Sequence, residues 1–457
     1  MLALVYTVEL LFLVTLFIYI KKREKSSLFF NPVLAFIIGA SIIYIIVPLM
    51  MYLFDWRWHN EVYLSTESYI EANLYSFFYI LFVVMLYMML ETLIFKRKGN
   101  IPKSDFAPLN KKVIIVIYLF FFVPILLDTL YLLHYIFSFD FQYYLKNRIF
   151  LRKGKGLFIL ISYMATVLIP ILYADFIVRY RKTKYFFIKH TLFILTFVLP
   201  FIAVYILMGN RLTAFILILL LTMTYLIVSD TKIKLTNFLK LSIAGFLILV
   251  FFSLAGYFRS IQWNIQKANV AQFSELLNKE LSHAIVKNFG NFEHLVWLIE
   301  YPHWDVLYGK TYIAGFLNLI PRAIWSQKPY GGGPHLKNII HPGSYDINTE
   351  KISSYTTGVM VESYMNFKIL GIVVIGFFHA LFLIFLRHLA YKITNNIILL
   401  VIYLYLLLSG TFLILFGEFL GIFTRTFIIV IPFVVLYLYS RTIEKYSSRG
   451  HYEKDSA

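Results

Sequence analysis

Runs of about 20 apolar residues recur from one end of this chain to the other, and each is long enough to cross the hydrocarbon of a bilayer as a helix. Eleven are expected, at 2–20, 32–54, 74–95, 113–133, 157–178, 191–208, 212–228, 241–258, 368–386, 397–415 and 420–439. Backbone N–H and C=O groups find no water in lipid, so such runs must satisfy one another as helices. A soluble domain is excluded, because 60% hydrophobic against 14% charged residues over 457 positions leaves more apolar surface than a core can hide. The expected fold class is an all-α polytopic membrane protein.

The distribution of lysine and arginine sets an expected orientation. Short loops at 21–25, 96–112, 179–190, 229–240 and 387–396, with the tail from 440, hold 24 of the 42 basic residues. Basic loops resist translocation, which makes that side the cytoplasm. The first span has KKREK after it and no basic stretch before it, as an uncleaved anchor with its N-terminus outside would. Glu9 within that span is expected to face other helices. The net charge of +18 comes in large part from these anchors facing anionic lipid. With no cysteine, disulfides, thiol catalysis and Cys-ligated metals are excluded. The 19% aromatic content assigns no sugar platform by itself, since an AT-rich coding sequence produces the same excess.

One stretch is too polar for lipid. From Gly309 to Gly371 it reads GKTYIAGFLNLIPRAIWSQKPYGGGPHLKNIIHPGSYDINTEKISSYTTGVMVESYMNFKILG. The expected organisation is a bundle over 1–258, an extracytoplasmic loop over 259–367, three further spans over 368–439 and a cytoplasmic tail over 440–457. No internal repeat is evident. Val270, Phe273, Leu277, Leu281, Ile285 and Phe289 recur at helical spacing, so 269–301 is expected to form an amphipathic helix on the bilayer or the bundle. Pro302, Pro321, Pro329, Pro334 and Pro342 punctuate the chain beyond it, and GGGP at 331–334 is expected to break any helix there. From Ser354 one helix is expected to start outside the membrane and enter it, with Glu362 and Asn366 on one face.

Four basic positions stand on the expected outer side: Arg211, Arg259, Arg322 and Lys328. Arginine suits phosphate because its planar fork donates parallel hydrogen bonds and stays charged. Converging at a membrane surface, these cations would hold a lipid pyrophosphate and stabilise it as it departs. The bland alternative is that each snorkels to the interface. Carboxylates are scarce on this side, which leaves Glu362 as first candidate for general base and His335 as second; an ion pair with an arginine is the competing role for Glu362. Glu418 and Arg425, seven residues apart, are expected as a structural pair on one face of the last span. Asp128 and Asp175 lie within or beside spans, where a proton pathway is the default suspicion. The chain has no DxD, HExxH, P-loop or helix-opening GxGxxG, and His303, His335 and His341 are poorly spaced as ligands. No metal and no cofactor are expected.

Three pieces, GNR at 209–211, PRAIWSQKP at 321–329 and ESYMNFKILGI at 362–372, resemble the bacterial oligosaccharide repeat-unit polymerases, the O-antigen or capsular polymerase family called Wzy. The order of the pieces and the large late loop extend the resemblance, although Lys368 stands where that family has glycine. The resemblance implies an architecture like that of GT-C glycosyltransferases and O-antigen ligases. It also implies a metal-independent inverting transferase that moves an undecaprenyl-pyrophosphate-linked glycan onto another lipid-linked repeat unit at the outer face of the bacterial cytoplasmic membrane. On this reading Arg211, Arg259, Arg322 and Lys328 bind pyrophosphate, and Glu362, His335 and Arg322 do the chemistry. Trp325, Tyr330, Tyr364 and Asn366 line the glycan. The bilayer, a flippase and a chain-length regulator are the implied partners, and nucleic acid is not. A ligase with another acceptor needs the same site. A lipid-linked oligosaccharide transporter is the rival from a different class, and a capped channel is a further one.

Overall fold

The computed structural model describes residues 2–23, 30–59, 62–95, 106–139, 143–144, 147, 151, 156–207, 210–229, 282, 285–286, 289–320, 324–325, 327–346, 354–393 and 395–454. The described residues are helical, with no strand among them. Nine helices among them are long and apolar enough to cross a membrane, so the chain is a multi-pass membrane protein. They are α1 (Leu2–Arg23), α2 (Pro32–Leu53), α3 (Thr66–Phe95), α4 (Lys111–Phe137), α5 (Phe158–Tyr180), α6 (Phe186–Leu207), α11 (Gly358–Lys392), α12 (Ile397–Phe416) and α13 (Phe419–Lys454). A shorter apolar helix, α7 (Arg211–Val228), stands at the expected seventh span, and the expected eighth, 241–258, lies outside the described residues. Three short helices lie between α7 and α11: α8 (Phe292–Glu300), α9 (Lys310–Leu317) and α10 (Gly332–Ile340).

Several spans widen locally into π-helix, and the sequence explains where. A proline ring clashes with the carbonyl four residues before it. For Pro48, Pro124 and Pro200 those carbonyls belong to Tyr44, Phe120 and Thr196, and each lies inside a π stretch, at Ile42–Ile46, Ile117–Phe122 and Ile194–Val198. The wider turn lets the blocked carbonyl find a partner one residue further on, which lipid would not otherwise provide. A fourth stretch, Ser409–Leu413, has another cause: the Gly410 carbonyl is met by Nε2 of His379 at 2.7 Å.

The chain divides into two compact units. Unit 1 holds residues 1–102, 275–392 and 406–426. Its frame is α3 packed along α11, joined by a buried ion pair of Arg387 Nε with Glu91 Oε1 at 2.9 Å. Glu9 of α1 faces this bundle as expected, accepting both Asn73 Nδ2 hydrogen bonds at 2.8 and 2.9 Å. Unit 2 holds residues 103–274, 393–405 and 427–457, with α5 packed on α7. There Asp175 receives the Leu109 N–H at 2.8 Å and pairs with Arg179 at 2.7 Å, tying the α4 approach to α5.

The polar stretch departs from expectation at GGGP and at the helix from Gly358. GGGP does not break a helix: Gly332, Gly333 and Pro334 form the first turn of α10, where a missing proline N–H leaves no intrahelical bond unmade. The expected amphipathic helix is described only at its end, where α8 packs on α3 and α11, on the bundle. The helix from Gly358 is really two, broken at Phe367 and Lys368. The break releases the Met365 and Asn366 carbonyls, which accept the N–H groups of Leu307 and Tyr308, each at 3.0 Å.

Candidate functional site

Unit 1 gathers buried polar groups around the first turn of α10. Three glycines open it because nothing larger fits. A Cβ on Gly331 would lie 1.6 Å from Oε1 of Glu418, one on Gly332 2.9 Å from Cδ of Glu362, and one on Gly333 2.5 Å from the Tyr355 carbonyl. The N–H groups of Gly332 and Gly333 donate to the Glu418 carboxylate, filling acceptorless positions at the helix start and favouring its charged form. Burial wins over that help, and with Glu362 nearby as a second acid it raises the Glu418 carboxyl to about 8.

Glu418 stands at the start of α13, its carbonyl accepting the Ile422 N–H at 3.1 Å, and its carboxylate turns to the first turn of α10. Its partners are 85 and 86 residues away in sequence, which is why periodicity missed it. The visible hint was a run of three glycines, residues that permit close backbone approach.

Glu362 is 1% exposed. Its Oε2 accepts the Phe419 N–H at 2.8 Å and the Thr357 hydroxyl at 3.3 Å. Its Oε1, against Gly332, has no hydrogen-bond partner among the described residues. Asn366 lies one turn on, with Nδ2 donating to the Glu362 carbonyl and to Thr311 Oγ1, both at 2.7 Å, so the expected shared face is real. His335, in the next turn of α10, is only half-buried and packs edge-on to Tyr330 at 6.4 Å. Burial, with Lys310 nearby, lowers its basicity and leaves a neutral imidazole at neutral pH. Glu362 and His335 therefore flank one helix start, the first sealed and the second accessible.

Beside them lies a histidine pair that the motifs did not suggest. Nε2 of His59 is 2.9 Å from Nδ1 of His294, and Tyr355 stacks on His294 at 5.1 Å. Glu293, fully buried, accepts the Trp58 and His59 N–H groups at 2.7 and 3.2 Å and so pins the 55–59 loop to α8. Burial lowers His59 to about 4 and holds His294 well below its ordinary range. Among the described residues no group of three or more His, Asp or Glu is arranged to hold a metal ion.

The expected cations are less fully seen. Lys328 is buried, and its ammonium donates to the Asn318 carbonyl, Asn318 Oδ1 and the Ile320 carbonyl at 3.2, 2.8 and 2.8 Å. It closes the loop that carries Arg322. Arg322 and Arg259 lie outside the described residues, as does the side chain of Arg211, whose backbone opens α7 in unit 2. Trp325 is 40% exposed, Tyr330 half-buried, and Tyr364 is buried with its ring near Trp304 at 5.9 Å. No family model, no curated protein and no solved structure matches this chain.

Proposed function

We propose that this chain is a glycosyltransferase that polymerises polyprenyl-pyrophosphate-linked oligosaccharide repeat units, at the outer face of a bacterial cytoplasmic membrane, with its N-terminus outside and its C-terminus in the cytoplasm. The observation that carries the proposal is the accessible neutral imidazole of His335 on a helix start held by Glu418, beside the sealed carboxyl of Glu362, in the long polar stretch between apolar spans. A lipid-linked substrate reaches such a site from the bilayer.

In this mechanism His335 takes the proton of the acceptor sugar hydroxyl. The hydroxyl oxygen forms a bond to the donor's anomeric carbon from the face opposite the leaving group, inverting it, and the carbon–oxygen bond to pyrophosphate breaks with its electron pair. Arg322 stabilises the departing pyrophosphate, the role that the sequence resemblance also gives to Arg211 and Arg259. Lys328 acts through the loop it closes. Glu418 fixes the start of α10, and so His335, while Glu362 packs beneath that start instead of meeting the acceptor, because it is sealed under Gly332. Trp325, Tyr330, Tyr364 and Asn366 border the glycan. This is the inverting transferase chemistry that the sequence resemblance implies, with the two candidate bases given different work.

Purified protein supplied with one lipid-linked repeat unit should yield a ladder of longer products. His335→Gln should lower the rate by about 10²–10⁴-fold, the usual worth of a positioned general base, with the fold intact. A ligase would attach one repeat to a different acceptor and give no ladder, and a transporter would move substrate without lengthening it. Either result overturns the polymerase reading.

A further inference from the structure

Lys368 has φ 52° and ψ −142°, a backbone state that suits glycine and crowds any Cβ. The main chain has a reason to turn there, since the break in α11 supplies carbonyls to Leu307 and Tyr308. That reason does not call for lysine. The side chain is placed with care nonetheless: Nζ stands 3.4 Å from the Trp304 ring centroid and 5.5 Å from that of Tyr364. Tyr364 in turn stacks on Tyr75 at 6.1 Å. A lysine kept in a strained position and aimed over two aromatic faces points to a requirement for the cation itself.

The charge is also unmatched. Among the described residues no carboxylate pairs with Lys368 and no acceptor takes its donors. Glu71, near the same rings, accepts the Tyr75 hydroxyl instead. Immediately after Lys368, Ile369 and Leu370 are 49% and 65% exposed and begin the apolar run of α11, which sets the ammonium at the polar border of the membrane. A simple snorkelling lysine needs neither the strained backbone nor the aromatic seat. Sugar rings stack on aromatic faces, and an ammonium with open donors takes a carboxylate or phosphate.

We infer that Lys368, Trp304 and Tyr364 form a binding corner for an anionic group carried on a lipid-linked glycan, either the diphosphate at its lipid end or the carboxylate of an acidic sugar in the repeat. The nature of the ligand rests on the transferase reading, but the site is testable without turnover. The full-length protein in phosphatidylcholine nanodiscs would be titrated calorimetrically with polyprenyl diphosphate and, separately, with a uronate-bearing oligosaccharide and its neutral counterpart. Lys368→Gln should weaken binding of one anionic probe by about tenfold or more, and Lys368→Arg should restore most of it.

Loss confined to polyprenyl diphosphate assigns the corner to the lipid end. Loss confined to the uronate-bearing sugar, with the neutral one unchanged, assigns it to the glycan. Lys368→Gly should show the same loss with a higher thermal midpoint, because the turn is then relaxed; a purely packing lysine would lose stability and leave binding alone. Unchanged affinity for both anionic probes, or no binding of either by the parent protein, overturns the inference. A failed ladder with anion binding intact would instead count only against the polymerase reading.

Discussion

The polar segment of unit 1 and the spanning helices that frame it solve the same problem by opposite means. In the spans, buried backbone is satisfied within each helix, and where proline blocks a carbonyl the helix widens to recover the bond, as at Tyr44, Phe120 and Thr196. Charge is admitted sparingly and in partnership, Arg387 with Glu91 and Glu9 with Asn73. In the segment around α10, carboxylates sit against backbone N–H groups: Glu418 on Gly332 and Gly333, Glu362 on Phe419, Glu293 on Trp58 and His59. The frame uses polar groups to join helices, whereas the segment uses them to hold irregular chain in one conformation. Both uses leave loose ends: Asn73 Oδ1 and Asp128 Oδ2 in the spans, and Glu362 Oε1, Asn366 Oδ1, Asn291 Oδ1 and His294 Nε2 in the segment, are buried without a hydrogen-bond partner among the described residues.

Breaking the frame should have the largest effect on stability. Glu91→Ala strips the partner from buried Arg387 and should destabilise the protein by about 3–5 kcal/mol, read as a lowered thermal midpoint in detergent. A drop under about 1 kcal/mol would show that the ion pair does not hold α3 to α11.

Breaking the segment should be milder for the fold and severe for activity. In Gly331→Ala the new methyl meets Glu418 Oε1, so the carboxylate must leave the α10 start or α10 must shift, at about 1–3 kcal/mol and with loss of ladder formation. Gly421→Ala is the matched control: nothing lies within 4 Å of that Cβ, and stability should stay within about 0.5 kcal/mol. If both alanines behaved alike, the close approach of Glu418 would not be what selects glycine at 331.

The pH dependence sharpens the contrast most, because it reads a single carboxyl. Glu418 titrates near 8 in the folded chain, above the 4.5 of an ordinary glutamate, so the folded state holds the extra proton between those values. Its contribution to stability is complete below about 4.5 and is lost as pH rises toward 8, each pKa unit being worth about 1.4 kcal/mol. Thermal midpoints taken from pH 5 to pH 8 should fall in the parent protein and fall less in Glu418→Gln. Parallel slopes would mean that this carboxyl is ionised throughout.

Much of the frame could be read from hydropathy and charge. Among the described residues nine of the eleven expected spans appear as long apolar helices, and Glu9 turns inward as an acid in a lipid-facing helix must. The hairpin tip before Arg211 and the Glu362–Asn366 face were likewise local features, visible as spacing along one helix. The α10 helix was misread because glycine and proline are poor helix formers on average, while at a first turn glycine admits the Glu418 carboxylate and proline forfeits no bond. The Glu418 contacts to Gly332 and Gly333 are not visible as spacing because the partners come from a distant part of the chain, nor is the break at Lys368, because a lysine carries no signature of a turn.

Hydropathy alone makes this a membrane protein, since an apolar run of 20 residues has few other stable environments whatever its neighbours. Which carboxylate meets which backbone N–H, which candidate base is sealed and which is reachable, and where a lysine is forced into glycine's conformation are set by contacts between residues tens or hundreds of positions apart. Short-range spacing carries no record of those distances, and only the folded chain brings them together.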